Sequence, residues 1–102
     1  MFAFCGSLTS VTVPNSVTNI GSSAFFRCYN LTSVTISEGV THIGYSAFCD
    51  CDRLTSVTIP DSVTRIDNGA FDGCNSLTSV TVPANCEVGE YAFPSTCTVI
   101  RR

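Results

Sequence analysis

Along this chain, Val34 and Ile36 alternate with Ser33 and Thr35, and the same apolar–polar alternation returns at Val11/Val13, Val57/Ile59 and Val80/Val82. A period of two in β-branched residues predicts a half-buried strand, with the valines and isoleucines inward and the hydroxyl residues outward. Leucine precedes each strand at Leu8, Leu31, Leu54 and Leu77, and Pro14, Pro60 or Pro83 follows it, with Ser37 in the second copy. Proline has no N–H to give a ladder, so it marks the strand's end. A second apolar pair then appears, Val17/Ile20, Val40/Ile43 and Val63/Ile66. Its spacing of three fits one helical turn or a short extended piece. The β-branched run and the Gly21, Gly44 or Asp67 that follows favour a short strand.

A third pattern closes each unit. Ala24-Phe25-Cys28, Ala47-Phe48-Cys51 and Ala70-Phe71-Cys74 run into the next leucine at steps of three, which predicts a helical or 3₁₀ turn. Phe25, Phe48, Phe71 and Phe93 then form an aromatic column through the core.

The whole cycle repeats every 23 residues, as Leu8–Asn30, Leu31–Arg53 and Leu54–Ser76. A fixed period of this length is the signature of a solenoid, in which each coil buries its apolar face on its neighbours. Residues 1–7 match the end of a preceding repeat, since Phe2 and Cys5 stand one period before Phe25 and Cys28. Residues 77–102 form a degenerate last repeat, one residue shorter between Pro83 and Phe93, and read as a C-terminal cap. The chain is thus one domain, 1–102, of about four coils.

The motif L-T-S-V-T-[VI]-P-x-S-V-T-x-I-x-x-x-A-F-x-x-C, followed from Phe2 to about Phe93, resembles the BspA-type leucine-rich repeat. That family occurs in surface proteins of gut and oral bacteria and of parasitic protozoa. The resemblance implies a leucine-rich-repeat solenoid, right-handed and mostly β, with parallel strands lining one face. It also implies a non-catalytic, cell-surface or secreted protein that binds extracellular-matrix or host-cell proteins. The first residues, however, lack the basic start and long apolar stretch of a signal peptide.

Composition narrows the function classes. Eight acids against five arginines, with no lysine, give a net charge of −3, so no basic face exists for nucleic acid. No apolar run approaches the about 18 residues of a membrane span. His42, the only histidine, stands at a variable place and reads as solvent-facing; no residue set points to an enzyme, a metal or a cofactor. Asp50, Asp52 and Asp72 read as a solvated acidic edge.

Cys5, Cys28, Cys51 and Cys74 recur at the 23-residue period and form a column of buried free thiols, spaced too widely for disulfides. Cys86 and Cys97, in the irregular last repeat, are the pair with a route to a bridge. Asn30-Leu31-Thr32 is a glycosylation sequon set at a tight turn, because Leu31 belongs to the core.

The candidate binding surface has two components. Ser33, Thr35, Ser56 and Thr58 belong to outward hydroxyl columns that hardly change between copies, a binding face or, more remotely, an ice-binding array. His42, Tyr45 and Arg65 stand where the copies differ, and only such positions can encode a particular partner. Phe2, Phe4, Val11 and Val13 form an open N-terminal edge that a second copy could cover, giving a homo-oligomer.

Overall fold

The computed structural model describes residues 8–102. Its strands are β1 (Ser10–Val13), β2 (Asn19–Ile20), β3 (Ser33–Ile36), β4 (His42–Ile43), β5 (Ser56–Thr58), β6 (Arg65–Ile66), β7 (Ser79–Val82), β8 (Glu87–Val88) and β9 (Thr98–Arg101). Odd-numbered strands stack on one side of the coil, as the ladders β1–β3–β5 and β7–β9, and β2–β4–β6–β8 stack on the other. Every pairing is parallel, and Val11 meets Val34 and then Val57 at the 23-residue register. The result is a flat β-solenoid of about four turns, 33 × 32 × 18 Å. The short strand expected from V-T-x-I is present in each coil.

Inward side chains build one continuous core. Val34, Ile36, Ile43, Leu31, Leu54 and Leu77 are buried, and Phe25, Phe48, Phe71 and Phe93 stack with ring centroids 4.9, 5.0 and 5.1 Å apart. The shortened last coil keeps this pattern by placing Val88 beside Ile66 and burying Cys86.

The A-F-x-x-C segments are not the helical or 3₁₀ turns the spacing suggests; the described residues contain no helix. Alternate amides explain why. Ala24, Phe26 and Cys28 donate three residues back within the turn, to Gly21, Ser23 and Phe25. The amides between them, Ser23, Phe25 and Arg27, donate instead to Tyr45, Ala47 and Cys49 of the next coil. Phe48 and Phe71 repeat this at 2.7 and 2.6 Å, onto Ala70 and Ala92. Switching partners at every residue requires left-handed backbone, found at Ser23, Arg27, Ser46 and Asp50 and, in the third coil, at Gly69 and Gly73. Such residues interrupt any helix.

Threonines flanking the strands reinforce the stacking. Thr32 sends both its N–H and its Oγ1 to the Thr9 carbonyl, and Thr55 does the same to Thr32. Thr41 and Thr64 treat Thr18 and Thr41 alike on the other sheet.

Beyond the third coil β9 covers β7 edge to edge, and on the second sheet Arg101 makes the contact that a next-coil amide makes elsewhere. The carbonyl before each strand of the second sheet accepts from the next coil, Thr64 O from Glu87 N for instance. Cys86 O, the last of the series, accepts from the Arg101 guanidinium at 2.7 Å. Cys86 and Cys97 both carry free thiols, so the one bridge considered is not formed.

Truncating Phe48, fully buried between two rings, is expected to cost about 3–5 kcal/mol in chemical denaturation. Phe93→Ala, at the half-buried end of the same column, is expected to cost clearly less; equal losses would contradict a stacked column.

Candidate functional site: two faces of the coil

The two sheets of the coil separate the predicted binding residues into two groups. Thr35, Ser56 and Thr58 are exposed and Ser33 half-buried on β3 and β5, pointing away from Val34 and Ile36. They belong to the first ladder, where Ser10 meets Ser33 and Ser56, and Thr12 meets Thr35 and Thr58. The paired ladder that carries this hydroxyl lattice stops at β5, because β5 and β7 are not ladder partners. A regular array across all coils is therefore interrupted.

His42 and Arg65 lie on the other sheet, outward of the buried Ile43 and Ile66. Asn19, His42, Arg65 and Glu87 are register partners in successive strands, so four unlike side chains form one exposed column. Arg65 binds Asp67 and reaches Glu87 at 3.5 Å; the Asp67 hydrogen bond, then the Asp67 and Glu87 charges, raise its pKa. Thr41 Oγ1 lies 3.0 Å from His42 Nδ1. Just past these strands, Tyr45 is 52% exposed and Asn68 accepts from the Glu90 amide, extending the column into a stripe. Sequence reasoning named His42, Tyr45 and Arg65, and the structure brings them onto one surface. It does not bring Ser33, Thr35, Ser56 and Thr58 to them.

Other candidates resolve individually. Val11 is half-buried and Val13 buried; both line an apolar hollow of about 350 Å³ at the N-terminal end, with Val17, Ile20, Ala24 and Phe25. Phe2 and Phe4 fall outside the described residues. Asp50 lies 3.7 Å from Arg27, whose guanidinium also covers the Phe26 ring at 4.9 Å. Asn30 of the sequon accepts from Arg53 at 3.2 Å through its own Oδ1.

Two of the column cysteines, Cys51 and Cys74, serve the coil before them. Cys51 donates to Phe25 O at 3.3 Å and Cys74 to Phe48 O at 3.0 Å. The hydrogen bond with Cys51, with burial behind it, raises the Cys74 thiol far above its usual range. No group of three or more His, Cys, Asp or Glu among the described residues is placed to hold a metal. Nor is any helix there long and apolar enough to cross a membrane. Sequence reasoning missed Arg101 and Arg102; two terminal arginines gave no hint that both reach back onto backbone carbonyls.

Parallel strands opened by leucine, stacked coil on coil, define a leucine-rich-repeat solenoid. Within that class, the BspA type leucine rich repeat region matches residues 1–101 in six copies, and the chain belongs to this family. A leucine-rich repeat protein from Bacteroides ovatus shares 31% identity and a TM-score of 0.78, over 91% of this chain and 30% of that one. One from Bacteroides capillosus shares 29% identity and a TM-score of 0.84, over 94% and 78%. A leucine rich cell surface protein from Faecalibacterium prausnitzii shares 33% identity and a TM-score of 0.56, over 96% and 37%. The chain thus spans about a third of the Bacteroides ovatus and Faecalibacterium prausnitzii structures. No curated protein matched. The family typically serves as a non-catalytic scaffold for protein interaction.

Cys49, half-buried on the turn, supplies a pH test of this surface. Burial, then the Asp50 and Asp72 charges, push its pKa up to about 11 from 9.0. The folded chain therefore holds this proton more tightly than the unfolded one. That contribution to stability is intact below about pH 9 and declines as pH rises toward 11. Alkylation of Cys49 followed by peptide mass mapping is expected to titrate near 11 in the folded protein and at the ordinary thiol value in urea. Titration at the ordinary value in both states would contradict the placement.

Proposed function

We propose that this chain is a non-catalytic protein-binding segment whose partner docks on the stripe formed by His42, Tyr45 and Arg65 with Asn68, Glu87 and Glu90. One observation carries the reading. These side chains differ from coil to coil yet sit on a regular lattice, whereas the Ser/Thr face repeats itself and carries no address. Tyrosine and arginine are also the residues over-represented at binding hot spots. The family resemblance and the cell-surface relative support a partner among extracellular-matrix or host-cell proteins, with the chain displayed at a cell surface or secreted.

The test is surface plasmon resonance against a panel of matrix proteins. Tyr45→Ala and Arg65→Ala are each expected to weaken the responding interaction about tenfold, or about 1.4 kcal/mol. Thr35→Ala and Thr58→Ala are expected to leave it within twofold. The opposite ranking would move the site to the hydroxyl face.

The hollow behind Val11 and Val13 favours a second reading, a module that stacks on another copy through this end. An apolar mouth beside β1, which pairs only with β3 among the described residues, is the kind of surface that association covers. Light scattering across the micromolar range is then expected to show an oligomer that grows with concentration and ignores reductant. A monomer throughout would end this reading.

A further inference from the structure

Coils three and four are joined on one side and parted on the other. Behind, β6 pairs with β8, and Phe71 stacks on Phe93 at 5.1 Å while its amide reaches Ala92. In front, β5 pairs only with β3 and β7 only with β9. Thr55 and Ser56 both donate to Thr32, but neither Thr78 nor Ser79 donates to Thr55. Between the parted strands lies a cleft of about 330 Å³, opening on the strand face.

Prolines explain the first lost rung. In the first pair of coils Ser37 N donates to Val13 O, and between β9 and β7 Arg102 N donates to Val82 O. Pro83 stands at this place opposite Ile59 and has no N–H to give. Arg102 fills the gap from the far side of β7: its guanidinium donates to Ile59 O at 2.7 Å and pairs with Asp61. The side chain thereby holds one end of the cleft and leaves the rest open.

By the register of the closed ladders, the N–H and C=O groups of Val57 on one wall, and of Ser79 and Thr81 on the other, face the cleft. The Ile59 N–H faces it too. Two parallel walls with main-chain donors and acceptors at a two-residue repeat of about 6.6 Å match another extended main chain. A sugar or a free anion offers no such spacing. From this we infer that the cleft between β5 and β7 is a β-augmentation site that takes a short extended peptide as a strand between coils three and four.

Side chains set the peptide's character. Its inner face would lie level with Val57 and Val80, and its outer face level with Ser56, Thr58, Ser79 and Thr81. The fitting sequence therefore alternates β-branched apolar residues with small hydroxyl ones, as the repeat's own strands do. Admission asks β5 and β7 to part to about twice the 4.8 Å strand spacing, hinging on the closed β6–β8 side. The site lies on a different sheet from the stripe proposed above, so either can fail without the other.

The experiment is an amide-resolved NMR titration of the whole chain with the synthetic peptide acetyl-Ser-Val-Thr-Val-Thr-amide. Its partner is the same peptide N-methylated at alternate residues, which keeps the side chains and loses one edge of donors. The expected result is saturable shifts centred on the amides of Val57, Ile59, Ser79 and Thr81, at least tenfold weaker with the methylated peptide. Three results would overturn the inference: no shift at millimolar peptide, shifts confined to the outer edges of β1 or β9, or equal binding of both peptides.

Discussion

Everything in this molecule depends on backbone amides that reach across one coil spacing rather than along the chain. In the strands this is ordinary parallel pairing. In the turns it is achieved residue by residue, with one amide closing the local turn and the next reaching Ala47, Ala70 or Ala92 in the adjacent coil. The phenylalanine whose amide makes that bond also drops its ring onto the next ring, so hydrogen bonding and aromatic burial share one register. The core can then be narrow and wholly apolar, because the described residues bury no polar or charged side chain.

That register was legible in the sequence wherever it is written in side chains. Val34, Ile36, Leu31 and the phenylalanine column announce their burial by spacing alone, and the short V-T-x-I strand follows from β-branching. The turn conformation was not legible. Steps of three in A-F-x-x-C fit a helix equally well, and what excludes one is left-handed backbone at Ser23, Arg27, Ser46 and Asp50, residue types that give no warning of it. Gly69 and Gly73 mark the same two positions openly, but in one copy only.

The candidate site was half legible for a related reason. A variable position in a repeat is visible by comparing copies, which singles out His42, Tyr45 and Arg65. Which face such positions share depends on the fold, and the Ser/Thr columns went to a different sheet. The parted strands could not be foreseen, because Pro60 sits opposite Ile36 just as Pro83 sits opposite Ile59, yet β3 and β5 remain paired. Arg102 on Ile59 O is what distinguishes the second case.

The most direct test of this account is amide hydrogen exchange of the free protein, read at single residues. The inter-coil bonds are predicted to make the amides of Phe48 and Phe71 among the slowest to exchange, although both lie in turns. Ser79 and Thr81, in a strand, are predicted to exchange much faster than Thr35. Fast exchange at Phe48 and Phe71, with strand amides uniformly protected, would contradict the claim that alternating inter-coil amides hold the solenoid together.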